Sequence, residues 1–329
     1  MKNVLGEEYK GDSKFVAECR KLQSIYRYEM GEAICPYHGR DGHVHYYGNY
    51  ISNGDTPNVE KGCWKNFLTE YAFNYAKKRV NPVNKKPYET IESDRLFNNL
   101  LSSQPMAFNL FCPLKQMHEE SPEEATLVIK AALPDYPIHK VTEVDLEFIP
   151  EEYMKLTGDK SAMDAIIRFV DTDGQDGFIA IETKYSENLG TNVAYDRDEN
   201  GKKVPRAKSL EAVHILQCFS DEVEKDIING DTKLTQIYRN FLLSERYGLE
   251  EALQSYSIIL SPQRHPSTVK EFNSLHNELR EEYKHKIKSI DLEDFVDKII
   301  SVCSEVYKPI FERFYDRYLN WDKLKICGM

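Results

Sequence analysis

The sequence predicts an α/β protein, a β-sheet flanked by helices with further helical segments towards both ends of the chain. Three observations predict it. Residues 163–184 read as two apolar runs, 165–170 and 178–181, around a turn rich in Asp and Gly, which is a β-hairpin signal. Residues 141–149 alternate, with Val144, Leu146 and Phe148 on one face and Glu143, Asp145 and Glu147 on the other. Around these strands, apolar residues recur at helical spacing.

In chain order, residues 13–31 read as a helix, with Phe15, Cys19, Leu22, Ile25 and Tyr26 near one stripe. Residues 32–58 are rich in Gly, Asn and Tyr and read as loop. A second amphipathic helix is expected over 64–79, with Trp64, Phe67, Leu68, Tyr71 and Tyr75 on one side. A third spans 92–101, with Leu96, Leu100 and Leu101 inward. A short one spans 122–133, opened by Pro122 and the acidic pair Glu123 and Glu124. The alternating strand 141–149 comes next; its acidic face reads as half-solvated, and the alternative for Glu147 is an approach to a metal site. The hairpin follows. Residues 210–228 and 234–246 read as helices, 256–260 as a further strand, and 267–318 as mostly helical with an interruption near 288–291. Three segments are expected: a helical N-terminal extension over 1–87, a core over 88–262 and a mostly helical C-terminal part over 263–329 packed on that core.

The formal net charge of −11 argues against a surface coated in basic residues, although contact with phosphates can be local. Two basic clusters stand out: Lys77, Lys78, Arg79, Lys85 and Lys86, and then Arg197, Lys202, Lys203, Arg206 and Lys208. The second lies in a loop after the hairpin, where it either reaches a phosphate backbone or serves as a solvated face. No apolar run has the length of a membrane span, and the first twelve residues carry no secretory apolar region. Seven cysteines, odd in number and without framework spacing, suggest reduced thiols and a cytoplasmic protein. Cys35, His38, His43, His45 and Cys63 raise a zinc site as an option, at a spacing that matches no familiar zinc motif.

The end of the hairpin concentrates charge. With the turn centred near Gly174, a symmetric hairpin puts Asp164 opposite Lys184 and Glu182 on the diagonal. Glu182 and Lys184 then share a face, while Thr183 points away and only packs. Two carboxylates that close repel, and a hard divalent cation relieves the repulsion. The bland alternative is an edge-strand charge pair worth about 0.5 kcal/mol.

At these residues the sequence resembles the PD-(D/E)XK nuclease superfamily, the restriction-endonuclease-like fold. Asp164 takes the place of the first Asp, and Glu182-Thr183-Lys184 takes the place of (D/E)-x-K. The Pro of the superfamily's name is absent, since Met163 stands before Asp164. The surrounding blocks are similar to one bacterial branch. They are Glu92-Ser93-Asp94-Arg95, the S-Q-x-x-x-F-N-L-F stretch from Ser103 to Phe111, Tyr185-Ser186-Glu187, and Q-x-x-R-N-x-L-L from Gln236 to Leu243.

The resemblance implies a mixed sheet of about four or five strands flanked by helices. It implies a metal-dependent nuclease that hydrolyses phosphodiester bonds, with DNA as the expected nucleic acid. Asp164, Glu182 and Glu92 would be the ligands of Mg²⁺ or Mn²⁺, and Lys184 would assist the attacking water. Glu92 also reads as a carboxylate favoured by a helix N-terminus. Arg95, Gln236, Arg239, Lys202 and Lys203 are the expected substrate-binding residues. Symmetric dimers are common among restriction-like enzymes, so a homodimer stays open. The alternatives are a catalytically silent protein on the same fold that binds protein or nucleic acid, and a hydrolase of small phosphate esters.

Overall fold

Five strands build one mixed sheet in the computed structural model, which describes residues 2–39, 42–84, 91–189, 193–197 and 199–326. They are β1 (Lys140–Phe148), β2 (Met163–Val170), β3 (Asp176–Thr183), β4 (Gln254–Ser261) and β5 (Ile287–Asp291), and they lie side by side in that order. β1, β2 and β3 form an antiparallel meander, while β4 and β5 add in parallel. The expected α/β class, with a mixed sheet flanked by helices, is therefore what the chain adopts.

The longer helices are α1 (Lys14–Glu29), α2 (Glu70–Val80), α3 (Ser93–Asn98), α4 (Ser103–Glu120), α5 (Pro122–Ala132), α6 (Ala207–Leu216), α7 (Asp221–Asn229), α8 (Gln236–Glu251), α9 (Thr268–Glu278), α10 (Leu292–Val302) and α11 (Lys308–Tyr318). Local chemistry sets several of their starts. Ser13, Thr69, Ser102 and Ser220 each accept a backbone N–H two or three residues ahead. Thr69 is why the helix expected from residue 64 begins at Glu70 instead. The single helix expected over 210–228 is two helices. Gln217 turns left-handed at φ 49° and Ser220 caps a new start. The interruption near 288–291 is β5, which completes the sheet.

One face of the sheet carries the main core. Ala165, Ile167, Phe169, Ile179 and Ile181 meet α4, α5, α10 and α11 there. Phe15 and Cys19 of α1 and Phe314 and Tyr318 of α11 belong to the same core, so both terminal segments share it with the sheet. Arg317, 1% exposed, locks them together. It donates to Asn66 O at 2.8 Å, Asn66 Oδ1 at 2.6 Å and Gln23 Oε1 at 3.0 Å. Gln23 Nε2 in turn donates to Tyr185 Oη, just beyond β3. The opposite face packs Phe178, Ala180 and Ile259 under the elements that include α6, α8 and α9. That second face carries the site.

Candidate active site

The hairpin register aligns three carboxylates. The loop Asp171 to Gln175 is pinned by Asp171 Oδ1, which accepts the N–H groups of Asp173 and Gln175 at 2.9 and 2.8 Å. Ala165 therefore pairs with Ile181, and the next step puts Asp164 opposite Glu182. The expected partner, Lys184, lies two residues further on, because the loop centres on Asp173 and not Gly174. On the other side, Glu147 falls between the pairs Leu146–Ala165 and Phe148–Met163 and so stands opposite Asp164. Glu147, Asp164 and Glu182 thus form one row across three neighbouring strands.

Each carboxylate has its own holder. Glu182 is 6% exposed and both of its oxygens are engaged. Lys184 Nζ and Gln236 Nε2 donate to Oε1 at 2.5 and 2.7 Å, and Asn240 Nδ2 donates to Oε2 at 2.6 Å. Gln236 and Asn240 lie one turn apart on α8, so one helix face braces the strand. Asp164 Oδ2 accepts both the N–H and the hydroxyl of Thr183, at 2.7 and 2.8 Å. This corrects the expectation that Thr183 only packs. Glu147 Oε1 accepts from Gln104 Nε2 at 2.8 Å. Glu147 itself is left-handed, at φ 51°, an uncommon and costly state for a residue with a Cβ. Arg79 clamps this kink by donating to the carbonyls of Leu146 and Glu147. Of the two readings of Glu147, the half-solvated face is overturned, since it is 6% exposed. Alternation along one strand could not reveal this, because the kink and the neighbouring strand decide it.

Crowding shows in the protonation equilibria. Burial, reinforced by the Asp164 charge, pushes Glu147 and Glu182 up to about 7. Burial also raises Asp164, against Lys184 and the Thr183 bonds. Burial works against the Lys184 ammonium, yet Glu182, Asp164 and Glu187 outweigh it and raise its pKa, so the lysine stays charged.

The motif blocks converge at Glu187, to which sequence reasoning gave no role. Its carboxylate accepts from Arg95 Nη2 at 3.1 Å, Ser103 N at 2.8 Å and Ser103 Oγ at 3.0 Å. Burial pushes Glu187 up, but Lys184, Arg95 and the Ser103 N–H prevail and hold it below the usual carboxylate range. His265, also unforeseen, lies with Nε2 2.9 Å from the Glu187 carbonyl, which requires an Nε2–H donor. Thr268 Oγ1 is 2.8 Å from its Nδ1.

Other expected site residues fall elsewhere. Glu92 is exposed at the N-cap of α3 and makes no cap bond with its side chain. Arg95 sits beside the row and pairs with Glu187. Arg239 is buried against Asp159 at 2.5 Å. Lys202 and Lys203 are exposed on the short hairpin Asp196–Arg197 with Lys203–Val204, where the Lys203 ammonium lies 4.0 Å from the Tyr195 ring centroid. Lys85 and Lys86 lie outside the described residues.

Among the described residues, no three His, Cys, Asp or Glu side chains are gathered closely enough to hold a metal as they stand. The expected zinc ligands are included in that statement. His45 instead stacks on Tyr47 at 5.0 Å, and Cys35 Sγ donates to the Pro36 carbonyl. The acid row nonetheless has the donors a hard divalent cation needs. Three carboxylates are accompanied by Gln104 Oε1 and Asn240 Oδ1, both buried with no hydrogen-bond partner among the described residues.

A mixed sheet flanked by helices, with an acid row and a lysine at the end of its central hairpin, defines a nuclease-type fold. The chain matches the family model described as PD-(D/E)XK nuclease superfamily over residues 10–320, and it belongs to that superfamily. No curated protein and no solved structure matches it. No helix among the described residues is long and apolar enough to cross a membrane.

Proposed function

We propose that the protein hydrolyses phosphodiester bonds of nucleic acid, DNA in the first instance, with Mg²⁺ or Mn²⁺ as cofactor. The row Glu147–Asp164–Glu182 beside Lys184 is the observation that carries this reading. Asp164 and Glu182 would hold the ion, with Glu147 as the third carboxylate in place of Glu92. When bound, the ion supplies positive charge at the scissile phosphate and acidifies water. Thr183, Gln104, Gln236 and Asn240 hold the three carboxylates in one row, and the donors on Glu182 would give way to the ion. Lys184, kept protonated by its acidic neighbours, orients the attacking water or answers charge that develops on the phosphate. Arg95 adds a second positive charge at the row's edge.

The test is cleavage of linear duplex, supercoiled plasmid, single-stranded DNA and RNA, each with Mg²⁺, Mn²⁺ or EDTA. Wild type runs beside Glu182→Gln and Lys184→Ala. Metal-dependent cutting lost in both variants is expected. Lys184→Ala protein that cuts at the wild-type rate would sink the assignment.

A silent binding module on the same fold is favoured by one observation: both Glu182 oxygens are already taken by N–H donors. Divalent cations stabilise a protein only by binding its native state, so a melting-temperature rise with Mg²⁺ separates the two readings.

A further inference from the structure

A cleft of about 710 Å³ opens on the outer side of β1, and Glu147 is part of its wall. Its other wall is α2, which presents Tyr71, Asn74, Tyr75 and Lys78. The two tyrosine rings are nearly parallel, 4° apart in plane with centroids 6.4 Å apart, and both are half-buried. Their hydroxyls are anchored, Tyr71 to Glu119 at 2.7 Å and Tyr75 to Asp145 at 2.6 Å. The rings are therefore a fixed aromatic platform.

The acids of this wall are already answered by that anchoring and by Lys115, 3.7 Å from Glu119 and 3.6 Å from Asp145. Lys78 and Asn74, by contrast, are exposed at the rim. Arg79 joins the cleft to the row, because it lies against the Tyr75 ring and holds the Glu147 carbonyl.

We propose that this cleft is a subsite for an unpaired nucleotide of the substrate strand. The base lies on the Tyr71 and Tyr75 platform, its polar edge meets Asn74, and its phosphate meets Lys78. Stacking tolerates any base because every base has a π-face, so the subsite reads strandedness and not sequence. The volume suits one or two nucleotides. The inference rests on the nuclease reading only for the direction in which the strand runs, which is from the platform past Glu147 into the acid row.

The test is fluorescence anisotropy in EDTA, which needs no cleavage. The probes are a labelled single-stranded 12-mer, a blunt duplex of the same length and free AMP as competitor. Wild type is compared with Lys78→Glu and Tyr71→Leu. Lys78 is exposed, so its change leaves folding intact, and melting temperature checks Tyr71→Leu. Wild type should bind the single strand in preference to the duplex. Each variant should weaken single-strand binding by about tenfold and leave duplex binding within about twofold. Equal loss on both probes, no loss in the folded variants, or no binding of the single strand by wild type overturns the subsite. AMP that competes as well as the oligonucleotide also overturns it, in favour of a free-nucleotide site. Strand binding without cleavage in Mg²⁺ would leave the subsite standing and remove the nuclease reading.

Discussion

Thr183 gives Asp164 two hydrogen bonds, one from its backbone and one from its hydroxyl, and both end on the same oxygen, Oδ2. The middle residue of the E-T-K tripeptide is thus the holder of the first Asp, and neither bond uses Oδ1.

Replacing Thr183 by Val keeps the shape and removes the hydroxyl. Stability should fall by about 1–2 kcal/mol, the range for a lost bond to a buried charged acceptor. Cleavage should fall further than stability explains, and Thr183→Ser should recover most of both. Urea unfolding and single-turnover cleavage check this. A Val variant with full activity would remove Thr183 from the site.

Glu147→Gln and Glu92→Gln should behave differently. The first removes a charge from the crowded row, so it should raise the melting temperature in EDTA and shrink the rise that Mg²⁺ produces. The second alters an exposed helix cap and should change neither. Differential scanning in EDTA and in Mg²⁺ reads both. The reverse pattern would restore Glu92 as the third ligand.

The acid row makes metal-free stability depend on pH with a definite sign. Glu147 and Glu182 are raised from the ordinary 4.5 to about 7. A carboxyl raised in the fold stabilises it while protonated. That contribution is complete below about pH 4.5 and is lost as pH climbs through about 7. In EDTA the wild type should therefore lose stability over this window relative to Glu147→Gln. Mg²⁺ binds the deprotonated acids, so its stabilisation should be larger at about pH 8 than at about pH 5.5. Equal stabilisation at both would contradict the row as its binding place.

Lys184 is 7% exposed, and removing it leaves Glu182 buried with one partner fewer. Lys184→Ala should lose both cleavage and stability, the latter on the order of 3 kcal/mol at alkaline pH. Glu182→Gln, whose single amide oxygen keeps only one of the two acceptor bonds to α8, should lose cleavage with a smaller stability change. Combining Glu182→Gln with Lys184→Met should recover part of the stability without activity.

Much of this was legible in the chain. Apolar runs and an Asp-Gly turn announced β2 and β3, and the expectation that Glu182 and Lys184 share a face agrees with their direct ion pair. The register was misread by two residues, since a five-residue loop pinned by the Asp171 side chain looks in sequence like a symmetric turn. For Glu147, alternation left a half-solvated face and an approach to the site both open, because its burial depends on a left-handed residue and on the strand beside it. β5 stayed hidden because five residues of mixed polarity resemble a gap between helices. Glu187 carried a signal, its place in a motif block, but only the fold brings Arg95 and Ser103 to it.

The link from Arg317 through Gln23 to Tyr185 has a consequence for the life of the chain. β3 and its lysine are made after α1 and well before α11. The residue that follows Lys184 gains its final support only when α11 arrives carrying Arg317. Nascent protein would thus hold its acids and lysine in an unfinished setting until α11 has been made.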